Sequence, residues 1–231
     1  MSGLAERPPR ASILIPCHRH VDLLASCLDS IARNVTPGQA ETIVVFNGTP
    51  PKEHARVQTG IQADQVLHSS ANLGFGGGNN RAARAARGEY LVLLNDDAEV
   101  TPGWLEELVA TADAHPEAGI VGSRVLHADG RLQEAGSVIW SDGSTLGIGR
   151  DLPGDSSRYA YLRQVDHVSA CSMLIRRAIF EQLGGFDERF YPGYSEDVDL
   201  CLSVRAAGWR ILYQPRSQVI HHESQTGGEA K

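Results

Sequence analysis

The chain has 231 residues, 42% of them hydrophobic and 21% charged, with a formal net charge of −7. That length suits one sizeable α/β domain with its own core, and the composition is ordinary for a globular protein. The acidic balance argues against a general nucleic-acid binder, which needs a basic face to neutralise phosphates. Cys17, Cys27, Cys171 and Cys201 show no paired metal spacing and read as buried or reactive thiols in a reducing, cytoplasmic compartment. No apolar run is long enough for a transmembrane segment, so any membrane association is expected to be peripheral, at the inner face, or through another chain.

Residues 1–10 are polar, contain Pro8 and Pro9, and are expected to form a flexible leader. A folded domain is expected over residues 11–222, followed by a polar, glycine-containing tail over 223–231. Ala11 to Pro16 is a short apolar run stopped by proline, a first buried strand. Val21 to Asn34 places apolar residues at helical spacing, and Thr42 to Phe46 predicts a second strand ending in Asn47-Gly48. Strand, helix and strand in that order predict a right-handed parallel unit. A weaker helix is expected within Pro50 to Gly60 and a third strand over Gln65 to His68. The glycine run Gly74 to Gly78 predicts a loop that feeds an alanine-rich helix around Arg81 to Arg87, whose arginines recur on a solvated face.

Further on, Tyr90 to Leu94 is uninterrupted large apolar sequence, the pattern of a strand covered on both faces. A helix over Gly103 to His115 and a strand over Gly119 to Ser123 follow. Between Arg124 and Arg163 the periodicity fades, and Asp129-Gly130 and Asp142-Gly143 predict hairpins. Val165 to Ile175 predicts a strand and Arg177 to Leu183 a short helix. A further helix is expected to start at Ser195 as cap, and Trp209 to Tyr213 and Gln218 to His221 read as two closing strands.

Chemistry concentrates at a few points. The central strand turns sharply polar at Asn95, Asp96 and Asp97, and in open α/β sheets that carboxyl edge is where ligands bind. Adjacent carboxylates repel unless a cation lies beside them, and oxygen-only ligation suits magnesium or manganese. A solvated turn is the bland alternative. The run Gly74-Phe75-Gly76-Gly77-Gly78-Asn79 approaches a dinucleotide fingerprint and opens a dehydrogenase reading, although Asn79 replaces its last glycine. Glu196, Asp197 and Asp199 open a helix behind the aromatic loop Phe190 to Tyr194; they suit the positive helix end, and one carboxylate there suits a general base. His221 ends a strand, where imidazole would complement carboxylates at a metal.

Together these stretches resemble glycosyltransferase family 2, the inverting nucleotide-sugar enzymes with a GT-A fold, and within it the bacterial rhamnosyltransferase-like branch. The resemblance runs from Ser12 to Gly227 and is carried by SILIPCHRH, VVFNG, NLGFGGGNNRAARAARGEYLVLLNDD, the helix after TPGW, GGFDERFYPGYSEDVDLCLSVRAAGW and HHES. It implies a Rossmann-like, mostly parallel central sheet with helices on both faces and a small antiparallel acceptor-side portion. It replaces the dehydrogenase reading, because the acidic pair becomes the metal site of D-x-D type. Carried over residue by residue, Pro16, His18 and Asn47 would lie beside the nucleobase, and Asn72, Gly74, Phe75 and Asn79 would line the nucleotide pocket. Asp96 would touch the ribose or metal, Asp97 and His221 would hold the metal and diphosphate, and Asp197 would be the base, with Glu196 the next candidate.

The activity implied is metal-dependent (Mn2+ or Mg2+) transfer of a sugar from a dTDP-rhamnose or UDP-sugar donor to a saccharide or lipid-linked acceptor, as in O-antigen and other cell-surface polysaccharide biosynthesis. The alternative is a non-catalytic nucleotide-sugar-binding module of a larger assembly. Three positions depart from the family pattern. Phe46 stands where an aspartate usually receives a base N–H, Cys17-His18-Arg19 replaces the usual threonine, tyrosine and asparagine, and the chain stops soon after HHES where relatives often continue into further domains.

Overall fold

A computed structural model describes residues 8–19, 21–50 and 62–222. In chain order these form β1 (Ala11–Cys17), α1 (Val21–Asn34), β2 (Ala40–Asn47), β3 (Gln65–Ser69), α2 (Gly74–Ala83), β4 (Tyr90–Leu94), β5 (Ala98–Val100), α3 (Trp104–Ala114) and β6 (Ala118–Leu126). There follow β7 (Leu132–Glu134), β8 (Ser137–Ile139), β9 (Thr145–Gly147), β10 (Arg163–Gln164), β11 (Ser172–Arg176), α4 (Arg177–Leu183), α5 (Glu196–Ala206) and β12 (Arg210–His221).

One sheet runs in the order β10-β12-β6-β11-β4-β1-β2-β3, with β5 added to β12 and β7 to β6; β8 and β9 form a separate hairpin. The pairs β1/β2, β2/β3, β1/β4 and β6/β12 are parallel, whereas β11 is inserted antiparallel between β4 and β6. The core divides by the two-residue period of the strands. Ile13, Ile15, Val92 and Leu94 face α1 and α3, where Leu24, Leu28, Trp104 and Leu108 are buried. Leu14, Leu91, Leu93 and Met173 face the other layer, with Ala82 of α2, Phe180 of α4 and Val204 of α5. Every residue of β4 is therefore buried, as its unbroken apolar run requires. Among the described residues no helix is long and apolar enough to cross a membrane.

Several expectations change. The glycine run is not a loop: α2 starts at Gly74 and carries Gly76, Gly77 and Gly78 inside the helix. Each interior glycine disfavours the helix by about 1 kcal/mol, and close packing outweighs it. A Cβ would lie 3.0 Å from Phe186 Cβ at Gly76, 2.9 Å from Leu73 Cβ at Gly77 and 2.9 Å from Pro16 Cβ at Gly78. Of the arginines expected on a solvated face, Arg84 and Arg87 are exposed, and Arg87 also reaches back to buried Glu41 at 2.8 Å. The two closing strands are one, β12, because it follows β6 through a register shift between Gln214 and Gln218. The strand expected over 165–175 is confined to β11, and 165–171 runs as a loop into the site. Ser195 has φ of 72° and makes no side-chain cap; its carbonyl accepts Asp199 N–H instead. The short strand β5 carries no periodicity of its own and appears only through its pairing with β12. The expected helix from residue 51 onward, and the leader and tail over 1–7 and 223–231, lie outside the described residues.

Candidate active site

Strand order reverses direction at β1, with β2 on one side and β4 on the other, so a crevice opens at the carboxyl ends of β1 and β4. Asn95, Asp96 and Asp97 turn there, both aspartates buried. The pairing of His221 with Ala98 brings the end of β12 against this turn. His221 Nε2 lies 3.0 Å from Asp97 Oδ1 and 3.2 Å from Asn95 Nδ2, while Nδ1 faces Gln133 Oε1 at 2.9 Å. Burial opposes a charged imidazole, but the Cys171 sulfur and the Asp97 carboxylate overcome it and raise the His221 pKa to about 11. At Asp96 burial wins over the hydrogen bond from Cys17, and with repulsion from Asp97 the pKa is pushed up to about 7. Asn95 Oδ1 is buried without a hydrogen-bond partner among the described residues.

A second group converges beside β1 and β2. Asn47 is buried and latches the start of α2: its Nδ2 donates to Gly74 O (2.9 Å) and Asn72 Oδ1 (3.2 Å), and its Oδ1 accepts from Leu73 N (2.8 Å). Asn72 Oδ1 also accepts from Gly74 N, whose φ of 74° suits glycine. His18 Nδ1 lies 2.7 Å from Asn47 O, Pro16 packs under Gly78, and Asn79 is buried with Nδ2 donating to Phe75 O. Thus Pro16, His18, Asn47, Asn72, Gly74, Phe75 and Asn79 share one rim of the crevice. Phe75 N–H is taken by Pro192 O at 2.9 Å, so the aromatic loop covers the start of α2. Phe46 is buried and stacks on His68 with ring centroids 5.4 Å apart.

Glu196 and Asp197 begin α5 but sit differently. Glu196 is buried in a tight cleft with Leu73, Phe75, Tyr191 and Pro192, and its Oε2 has no hydrogen-bond partner among the described residues. Burial pushes its pKa up to about 7. The Asp197 side chain is 20% exposed. Its Oδ2 accepts from Ala170 N at 3.1 Å and lies 3.3 Å from His167 Nε2, while Oδ1 accepts from Val198 N at 2.9 Å. Burial works against its charge, but His167 and the two backbone N–H groups outweigh it and hold Asp197 below the usual carboxylate range. Cys171 O accepts Asn95 N–H at 3.0 Å. Consecutive residues 170 and 171 therefore tie Asp197 and the acidic turn to one stretch of backbone.

Sequence reasoning passed over His167, Gln133, Glu134 and Cys171 as site neighbours. The only local signal was a histidine within the otherwise apolar VDHVSACSMLI.

An open sheet with an acidic turn at its switch point and a glycine-bearing helix beside it is the architecture of a GT-A domain. The crystal structure of GalNAc-T7 with UDP, GalNAc and Mn2+ superposes with a TM-score of 0.75 at 16% identity, over 94% of this chain and 44% of that one. Residues 12–184 match the family model for glycosyl transferase family 2, and the chain belongs to that family. It is 36% identical to the O-antigen biosynthesis protein RfbC of Myxococcus xanthus over 94% of its own length, and covers 17% of that protein. It is 31% identical to the N-acetylglucosaminyl-diphospho-decaprenol L-rhamnosyltransferase of Mycobacterium tuberculosis, over 71% of this chain and 60% of the relative. The chain thus spans less than two thirds of the length of either relative.

Proposed function

We propose that this domain, residues 11–222, catalyses inverting, metal-dependent transfer of a sugar from a dTDP-rhamnose or UDP-sugar donor to a saccharide or lipid-linked acceptor in cell-surface polysaccharide biosynthesis. The observation that carries the proposal is the anchoring of an ionised, partly accessible Asp197 and a buried Asp97–His221 pair to adjacent backbone groups at the switch point. The names of the relatives favour a surface glycan as product, and a lipid-linked acceptor goes with a cytoplasmic, peripheral site of action.

In this scheme Asp197 accepts the proton of the acceptor hydroxyl, whose oxygen attacks the anomeric carbon opposite the leaving group. A single displacement inverts that carbon. Asp197 is preferred over Glu196 because it is ionised across the working range and reaches solvent, whereas Glu196 is shut behind Tyr191 and Pro192. Pro16, His18 and Asn47 flank the base, with the apolar Phe46 in place of a base-reading carboxylate. Asn72, Gly74, Phe75 and Asn79 line the pocket, and Asp96, next to the metal site, meets the ribose.

Asp97 and, once it has given up the proton it shares with that carboxylate, His221 would hold Mg2+ or Mn2+. Among the described residues no three histidine, cysteine, aspartate or glutamate side chains converge as a complete metal cage. Two protein ligands, with the orphaned Asn95 oxygen nearby, fit an ion whose shell the donor diphosphate completes. When bound, the ion would neutralise charge on the departing nucleoside diphosphate. Calorimetric titration of UDP, TDP and GDP, with and without Mn2+, tests this on the native chain and Asp97→Ala. Metal-dependent binding of one nucleotide, lost in the variant, is expected; equal binding by both proteins would refute the metal assignment.

A further inference from the structure

Behind Asp197 lies an imidazole that the mechanism above leaves unused. His167 sits in the loop before β11 with its side chain 6% exposed. Its backbone is pinned to β8, with Ser137 N donating to His167 O at 2.8 Å and His167 N donating to Ser137 O at 3.2 Å. Nε2 reaches Asp197 Oδ2, the oxygen that also takes the Ala170 N–H. Neither ring nitrogen completes a hydrogen bond among the described residues, so the link to Asp197 is an ion pair with Nε2 3.3 Å from Oδ2. Next to the imidazole is Glu134 of β7, buried and held by Ser169 N–H at 2.9 Å. The imidazole thus lies in the field of two carboxylates on different elements. Burial opposes its charge, but the close contact and charge of Asp197 and the charge of Glu134 prevail, so its pKa is raised.

We propose that His167 is a positioning residue for Asp197: the ion pair of its imidazole with Oδ2 and the Ala170 N–H together hold that oxygen, and Oδ1 is left to meet the acceptor hydroxyl. The inference rests on Asp197 as the base. In the transfer step the acceptor O–H bond breaks, the proton passes to Asp197 Oδ1, and His167 keeps its own proton. The division follows from the contacts. Oδ2 faces the interior, bonded by the Ala170 N–H and paired with His167, whereas the bond to Oδ1 comes from the neighbouring Val198 N–H and leaves a lone pair. The arrangement also makes the carboxylate orientation independent of the mobile substrate, as preorganised bases require.

The other titratable and charged groups around the pair are few. Glu134 faces it from β7, Glu196 and Cys201 from α5, and the Asp166–Arg205 ion pair (3.1 Å) flanks the loop. Burial raises the Cys201 thiol well out of the working range, and Glu196, near 7, is the group whose titration overlaps.

Two substitutions separate positioning from packing. His167→Gln keeps a donor where Nε2 stood; His167→Asn is equally polar but places its amide where Nδ1 stood. The first readout needs no substrate: carboxyl 13C titration of Asp197 by NMR, assigned with Asp197→Asn. We expect the Asp197 midpoint to rise by at least one pH unit in His167→Asn and by less in His167→Gln. The second is nucleoside diphosphate release with donor and acceptor. His167→Asn should lower kcat at least tenfold with the donor KM within twofold and shift the acid limb of kcat to higher pH, while His167→Gln should keep more than a third of native kcat. An Asp197 titration unmoved in His167→Asn, or equal losses in both variants with an unmoved acid limb, would overturn the proposal. Full turnover in Asp197→Asn would instead overturn the base assignment, and the NMR titration tells the two failures apart because it does not depend on turnover.

Discussion

Glu196→Gln is the most quantitative test of the site's electrostatics. Glu196 is 6% exposed, and burial raises its pKa from 4.5 to about 7. The folded state therefore holds a proton that the unfolded chain has released between those values, so stability falls as pH rises through that window. At about 1.4 kcal/mol per unit, the full loss is on the order of 3 kcal/mol above pH 7, and about 2 to 3 kcal/mol of it falls between pH 5 and 8. Glutamine has nearly the same shape and no charge to bury. Urea unfolding of both proteins at half-unit steps from pH 5 to 8.5 should give a variant that gains on the native chain as pH rises and levels off above 7. A difference independent of pH would show that Glu196 ionises normally, and would remove the electrostatic reason for preferring Asp197 as the base.

Asp197→Asn should lower turnover by roughly 10²–10⁴ while nucleotide binding by calorimetry is unchanged; native turnover would refute its role. Gly78→Ala should cost about 1–3 kcal/mol in chemical unfolding, since its methyl would meet Pro16 Cβ at 2.9 Å and Asn47 Nδ2 at 3.1 Å. Glu41 lies buried and accepts from Ser12 Oγ (2.7 Å), Arg87 N (2.6 Å) and Arg87 Nε (2.8 Å). Burial disfavours its charge, but these donors outweigh it and lower its pKa. Glu41→Gln should cost about 2 kcal/mol at pH 7, shrinking below pH 4.5 as the native carboxylate takes up its proton; a cost that stays constant down to pH 3 would contradict the pairing.

What the sequence determined by itself was local. The 3.6-residue spacing in Val21–Asn34 and the breakers around Arg177–Leu183 set α1 and α4 to the residue. The unbroken apolar run of β4 placed Asn95, Asp96 and Asp97 at a sheet edge, because a segment buried on both faces must shed its polar residues at its end. The ordered set of motifs carried the family and the fold. Tertiary structure decided the rest. Gly76, Gly77 and Gly78 became helical because their neighbours leave no room for a Cβ, a constraint that lies in Phe186, Leu73 and Pro16 rather than in glycine's own propensity. His221 came to Asp97 through the pairing of β5 with β12, across 124 residues of chain (221 − 97). His167 met Asp197 because β11 runs antiparallel between β4 and β6 and draws its preceding loop under α5. Periodicity reports how a residue is buried; which charge lies opposite a buried charge is a non-local property, and only the folded chain brings the two together.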